Sequence, residues 1–172
     1  MSINGPETKL IVVDDFLPFP DVVREQAILL DYCIEGDFPG RRSFAADGEY
    51  QIFIQHRIEP ILNKLIEEWT MDSFCFQLCY EGAETWVHKD ETEWAGVLYL
   101  TPDAPTESGT GFYEEVNPGE FELVDAVANK YNRLILYKGD ILHRSLLSGF
   151  GNSPDTGRLT QVFFFNTGNK YG

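Results

Sequence analysis

The sequence predicts one mainly β domain of the α+β class, in which short strands forming a sandwich or jelly roll follow two helices. Its 172 residues, 43% of them hydrophobic, suit a single domain with a substantial core. Helical spacing of apolar residues ends near residue 70, and strand-like segments bounded by turn residues follow. Few helix-length crossovers separate these strands, so the pattern favours a sandwich or jelly roll over a parallel sheet.

The N-terminal part of the chain, residues 1–73, is predicted to form a support region of strand and helices. A β-branched run at 9–16 indicates a strand, and prolines then precede a helix over 21–32. Residues 33–50 are rich in Gly, Pro, Arg and Asp and are predicted to be a long loop. Apolar residues at helical spacing predict a second helix over 59–69.

The remainder, residues 74–168, is predicted to be the β core of the same domain, which spans 1–172. Residues 122–131 are expected to form one helical turn or a loop. Seven strands are expected, at 74–80, 86–90, 94–101, 111–114, 133–137, 141–143 and 159–166.

Charge and cysteine content limit the possible partners. The 28 acidic and 13 basic side chains give a formal charge of -15, which disfavours nucleic acid and anionic membrane surfaces. Three cysteines without metal-binding spacing indicate no disulfide framework and favour a reducing, cytoplasmic setting. No segment reaches the roughly 18 to 20 apolar residues of a membrane span. The sequence does not indicate an oligomeric state.

The arrangement of histidines predicts a metal site. His88 and Asp90 are two residues apart, so on a strand they project from the same face, and His143 can complete the site from another strand. Two histidines and one carboxylate leave three adjacent octahedral positions open, as in iron(II) oxygenases. His56, the third histidine, has no partner at ligand spacing and is expected to be structural.

A second predicted site binds a dicarboxylate, whose distal carboxylate is best held by a guanidinium and hydroxyl groups. Arg158 opens the last predicted strand, and Thr160 lies on the same face. Tyr80 is predicted to add a phenolic hydroxyl. Arg144 is the alternative cation, although its position next to His143 directs it to the opposite strand face.

Residues 74–166 resemble the iron(II)/2-oxoglutarate-dependent dioxygenase superfamily, in particular its prolyl-4-hydroxylase-like branch. The resemblance implies a double-stranded β-helix (jelly roll) with the N-terminal helices packed on one sheet. Carried over by motif, it implies a metal site of His88, Asp90 and His143, with Tyr80 and Arg158 in the cosubstrate site. The matching stretches are FCFQLCYEGAETWVHKDETEWAGVLYLTP, GTGFYE, NRLILYKGDILHRS and GRLTQVFFFN.

The same resemblance implies a hydroxylase that uses iron(II), 2-oxoglutarate and dioxygen. Its expected substrate is a small molecule, an amino acid or a peptide. The gap of fifteen residues from His143 to Arg158 is longer than the family's usual nine to twelve and indicates an inserted loop, which keeps Arg144 as an alternative anchor.

Two other interpretations remain open. A cupin-like metal enzyme would not use 2-oxoglutarate, but cupins commonly use three histidines and a glutamate, and His56 lies outside the predicted strands. A catalytically silent jelly-roll binding module would retain the fold without the reaction. Metal content distinguishes the binding module from both enzymes.

Overall fold

The computed structural model describes residues 8–168 and is mainly β, with antiparallel sheets, as the sequence predicts. No helix in this range is long and apolar enough to span a membrane. In chain order the elements are β1 (Leu10–Val13), α1 (Pro20–Ala27), β2 (Arg41–Ala45), α2 (Gly48–Leu62), β3 (Leu65–Trp69), β4 (Cys75–Cys79), β5 (Trp94–Tyr99), a short 3₁₀ helix (Thr106–Ser108), β6 (Thr110–Asn117), β7 (Glu120–Val127), β8 (Leu134–Lys138), β9 (Leu142–Ser145) and β10 (Arg158–Gly168).

The strands form two sheets. The larger sheet has the order β1-β8-β5-β10-β4-β2, with β3 also paired to β10, and the smaller one has the order β7-β6-β9. From β4 onward the chain passes repeatedly between the sheets: β5, β8 and β10 join the larger sheet, and β6, β7 and β9 join the smaller one. Short segments of chain therefore alternate between two facing layers.

Strand β10 separates two environments by the alternation of its side chains. Leu159, Phe163 and Phe165 are fully buried in a core cluster that also contains Ile54 and Ile58 of α2. Both helices contribute to this cluster, so they cover the outer face of the larger sheet, as the resemblance implies. The inner face packs against the smaller sheet through Ala95, Tyr99, Phe112, Val127, Ile135 and Tyr137.

The predicted second helix is wrong in its position. Helix α2 begins at Gly48, where the Asp47 carboxylate accepts a hydrogen bond from the Tyr50 amide at 3.1 Å, and ends at Leu62. Asn63 then adopts a left-handed conformation with φ of 52°, which stops the helix. The next residues form β3 against β10, with Trp69 opposite Phe165. Their apolar residues fit helical spacing, but pairing with β10 determines the conformation.

Three further predictions require correction. Residues 41–45 form an edge strand, β2, rather than part of a loop, because they pair with β4. Residues 120–127 form β7, which returns along β6 through a turn at Gly119, where φ is 77°. Residues 86–90 do not form a continuous strand. Only His88 is paired there, in an isolated bridge to His143.

Candidate metal centre and adjoining cavity

His88 and His143 lie next to each other on neighbouring segments. Each backbone amide donates to the other residue's carbonyl at 3.0 Å, and the imidazole centroids are 4.4 Å apart. His143 belongs to β9 and is buried, whereas the side chain of His88 is 34% exposed. The backbone pairing therefore brings both imidazoles to one point at the edge of the smaller sheet.

Asp90 completes the group. Its amide donates to the Gly139 carbonyl at 2.7 Å, which directs the side chain toward both histidines. The carboxylate lies 3.8 Å from His88 Nε2 through Oδ1 and 3.0 Å from His143 Nε2 through Oδ2. One ligand atom from each of the three residues lies within 4.8 Å of the others. The structure thus brings together the three residues that the sequence predicts as metal ligands.

Hydrogen bonds to backbone carbonyls fix the histidine tautomers. His143 Nδ1 lies 2.7 Å from the Ile141 carbonyl and His88 Nδ1 lies 3.0 Å from the Trp86 carbonyl. A carbonyl can only accept, so each Nδ1 carries a proton, and in the neutral imidazole each Nε2 then presents a lone pair. Both Nε2 atoms lie within 4 Å of the Asp90 carboxylate.

This arrangement fits a bound cation. Asp90 Oδ2 is buried and accepts no hydrogen bond from residues 8–168. Its short distance to His143 Nε2 is no substitute, because both atoms are acceptors in this tautomer. Two facing lone pairs at 3.0 Å repel each other unless a positive charge, either a metal ion or a proton on Nε2, lies between them. Two neutral imidazoles and a carboxylate form a donor set that suits non-haem iron(II).

His88, Asp90 and His143 line a cavity of about 490 Å³ between the two sheets. Arg158 and Thr160, at the start of β10, line the same cavity. The Arg158 side chain is 3% exposed, and it donates from Nε to the Ser108 carbonyl at 2.9 Å and from Nη2 to the Gly109 carbonyl at 3.2 Å. These two contacts leave Nη1 without a protein acceptor in the described range.

The remaining predicted residues lie elsewhere. Tyr80 follows β4 at a position that alternates away from the cavity, is 38% exposed, and lines a separate groove with Gly40 and Arg41. The structure therefore does not bring Tyr80 to the Arg158 site. Arg144 donates twice to the Thr85 hydroxyl on the far side of β9 and does not line the cavity.

Among the cavity residues that the sequence does not predict are Tyr137 and Arg42. Tyr137 on β8 lies with its ring centroid 4.7 Å from that of His143, and burial raises the pKa of its phenol well above the ordinary value. Arg42 on β2 is 8% exposed and also lines the cavity. The sequence predicts a loop over 33–50, so it does not indicate that the Arg42 side chain points into the cavity. An alternating strand assignment would have identified it.

Sequence comparisons give limited information. Residues 117–165 match a family model described as a family of unknown function, DUF6445. No curated protein matches the chain.

Structural comparisons show the fold. HygX from Streptomyces hygroscopicus, with nickel, 2-oxoglutarate and hygromycin B bound, is 12% identical with a TM-score of 0.63, over 95% of this chain and 84% of that one. A prolyl-4-hydroxylase from Pseudomonas putida is 18% identical with a TM-score of 0.57, over 91% of each chain. A prolyl hydroxylase from Trichoplax adhaerens, in complex with a hypoxia-inducible-factor peptide fragment, is 11% identical with a TM-score of 0.59, over 91% of this chain and 83% of that one. The chain shares its fold with these 2-oxoglutarate-dependent oxygenases.

Proposed function

We propose that this protein is a non-haem iron(II)- and 2-oxoglutarate-dependent oxygenase with a jelly-roll (double-stranded β-helix) core. It hydroxylates a small molecule, an amino acid or a peptide. The observation that carries the proposal is the position of the three metal ligands and a buried arginine on one cavity. The fold shared with prolyl hydroxylases and HygX supports the same class.

In this proposal His88, Asp90 and His143 hold the iron through the two Nε2 atoms and the carboxylate. Together, iron(II), 2-oxoglutarate and dioxygen supply the oxidising chemistry that breaks an unactivated C–H bond. The chain's own residues bind and orient the two organic reactants and limit the access of water. A cavity of about 490 Å³ is within the usual size range of small-molecule sites.

Arg158 is the proposed anchor for the distal carboxylate of 2-oxoglutarate. It is a buried cation with no carboxylate within ion-pair distance among residues 8–168. A buried unpaired charge is costly, so an incoming carboxylate is stabilised there. The Thr160 hydroxyl, on the same strand face, lines the cavity without a hydrogen-bond partner in that range, and in this proposal it donates to the second carboxylate oxygen.

The alternatives have less support. A cupin-like enzyme commonly needs a third histidine ligand, and His56 is exposed on α2, away from the other two. A silent binding module has no need for two imidazole Nε2 atoms within 4 Å of the Asp90 carboxylate. The three free cysteines support the proposal of a reducing, cytoplasmic setting.

The decisive experiment is anaerobic titration of the iron(II)-loaded protein with 2-oxoglutarate, followed by visible absorption. We expect the weak charge-transfer band of a 2-oxo acid that chelates iron. His143→Ala is expected to abolish the band through loss of metal, and Arg158→Met to shift the titration to higher 2-oxoglutarate concentration at unchanged iron content.

Two matched variants serve as controls. Arg144→Met removes the other arginine considered as an anchor, and His56→Ala removes the histidine outside the site. Both are expected to give the wild-type titration. Iron binding without a band would favour the cupin-like enzyme, and absence of iron binding would favour the binding module.

A further inference from the structure

We propose that Arg42 binds a carboxylate group of the substrate, at a position in the cavity distinct from the 2-oxoglutarate anchor Arg158. This inference rests on the proposed function and narrows its substrate class. It assigns a role to a buried cation that the metal centre and the cosubstrate site do not use.

The surroundings of Arg42 hold its guanidinium in place. Nε donates to Gln77 Oε1 at 2.9 Å, and Gln77 in turn donates to the Pro39 carbonyl at 2.9 Å. The guanidinium carbon lies 3.9 Å from the ring centroid of Phe38 and 5.5 Å from that of Phe164. Aromatic contacts and one hydrogen bond thus fix the guanidinium before any ligand arrives.

The outer edge of the guanidinium has no protein partner. Neither Nη1 nor Nη2 forms a hydrogen bond or an ion pair within residues 8–168, although the residue is only 8% exposed. Burial lowers the pKa of Arg42 and the charges of Asp72 and Asp90 raise it, and an arginine remains protonated in proteins. A charged, nearly buried group with two free parallel donors is a ready site for a carboxylate, which can accept from both.

The strand register separates this site from that of Arg158. Arg42 is opposite Gln77 on β4, and Gln77 is opposite Thr160 on β10. Because each strand spacing is about 4.8 Å, two spacings place the Cα atoms of Arg42 and Thr160 about 10 Å apart. Arg158 instead pairs with Cys79 and contacts the carbonyls of Ser108 and Gly109. The backbones of the two arginines therefore lie at different points of the sheet, so each arginine can serve a different carboxylate.

This arrangement points to a carboxylate-bearing small molecule, such as a free amino acid, as the substrate. Arg42 and the metal ligands line one cavity, so a molecule bound through its carboxylate at Arg42 can extend toward the metal centre. A neutral segment inside a polypeptide offers no such group. It would leave both Nη donors of Arg42 buried without an acceptor.

The test uses acetate as the probe and the side-chain signals of arginine as the readout. The protein is labelled with ¹³C,¹⁵N-arginine and loaded with zinc(II), which has no redox chemistry, and with saturating 2-oxoglutarate. Acetate is then titrated at constant ionic strength, with acetamide as the neutral control. We expect a saturable shift of the Arg42 guanidinium signals with acetate and none with acetamide.

The neighbouring arginine provides the matched control. Arg41 is exposed on the opposite face of β2 and forms an ion pair with Glu35 at 2.9 Å. Arg41→Met is expected to keep the acetate response of the Arg42 signals. Arg42→Met removes and thereby assigns those signals, and it is expected to retain the 2-oxoglutarate affinity. If the methionine variant does not fold, Arg42→Lys assigns the Arg42 signals instead. The titration itself is carried out on the wild-type protein.

The outcomes separate this inference from the proposed function. If 2-oxoglutarate shifts the Arg158 signals but acetate leaves those of Arg42 unchanged, the Arg42 proposal is wrong and the oxygenase assignment stands. Loss of 2-oxoglutarate binding in Arg42→Met would also overturn the proposal, because Arg42 would then hold the cosubstrate. If 2-oxoglutarate does not bind the zinc-loaded protein at all, the proposed function fails.

Discussion

His88 and His143 are fixed relative to each other by their backbones, since each donates its amide to the other's carbonyl at 3.0 Å. Asp90 is held differently, through one amide contact to the Gly139 carbonyl at 2.7 Å. Two of the three predicted metal ligands thus form a rigid pair, and the third depends on the turn that precedes β9. Substitutions at this turn should therefore weaken metal binding more than they destabilise the sheets.

Gly139→Ala is expected to weaken metal binding. An added Cβ would overlap the Thr92 carbonyl oxygen and lie 3.2 Å from that of Asp90, so the segment carrying the carboxylate must move. The midpoint of a zinc(II) titration should rise at least about tenfold, since shifts of outer contacts cost affinity on that scale. Competition with a chromogenic chelator measures this change.

Gly48→Ala is the matched control, because a Cβ at Gly48, at the start of α2, meets no atom within 4 Å. It is expected to retain wild-type metal affinity. Equal zinc affinity in Gly139→Ala and the wild type would show that Asp90 does not depend on this turn.

Ile58→Ala is expected to destabilise the fold without changing the site. Ile58 is fully buried between α2 and the outer face of the larger sheet, so truncation leaves a cavity. The free energy of unfolding should fall by about 2 to 5 kcal/mol, measured by urea denaturation. Metal stoichiometry of the folded variant should remain that of the wild type. Loss of metal from the folded variant would contradict the separation of core and cavity.

Asp14→Asn tests a pH-dependent contact between β1 and β8. Arg133 donates to Asp14 through Nε at 2.7 Å and through Nη2 at 3.2 Å, and this hydrogen bonding lowers the pKa of the Asp14 carboxyl. Because the folded-state pKa is depressed, the contribution is complete above the ordinary carboxyl pKa of about 4 and disappears as the pH falls through the lowered value.

The Asp14 side chain is 38% exposed, so solvent screens the pair and the expected loss at pH 7 is only about 0.5 kcal/mol. Urea denaturation of both proteins at neutral pH, and again well below pH 4, should show this difference shrinking in acid. If the wild type and Asp14→Asn differ in free energy of unfolding by the same amount at both pH values, the ionised Asp14 carboxylate is not the source of the stabilisation.

Local patterns predict much of the larger sheet and the three candidate metal ligands. The runs around β5, β8 and β10 are apolar because these strands are buried on both faces. His88 and Asp90 share a direction at a spacing of two, even though residues 86–90 are held by a bridge at His88 rather than by a full strand. The spacing was sufficient to predict that the carboxylate lies beside the imidazole, although the contact of Asp90 with the Gly139 carbonyl holds it there.

The missed features depend on long-range pairing. Strand β2 contains two arginines and little apolar alternation, so its conformation follows from its partner β4. Strand β7 is exposed along most of its length and is held by pairing with β6. Tyr80 could be placed only after the register of β4 against β10 was known, because a shift of one position reverses the face.

The alternation along β10 has a consequence for how this protein can diversify. Leu159, Phe163 and Phe165 pack under the helices, while Arg158, Thr160, Val162 and Phe164 line the cavity. The odd-numbered positions of β10 are therefore constrained by packing in the core, and the even-numbered positions by the shape and chemistry of the cavity. Substitutions at residues 160, 162 and 164 can reshape what the cavity admits while the odd-numbered side chains keep the sheet attached to its helices.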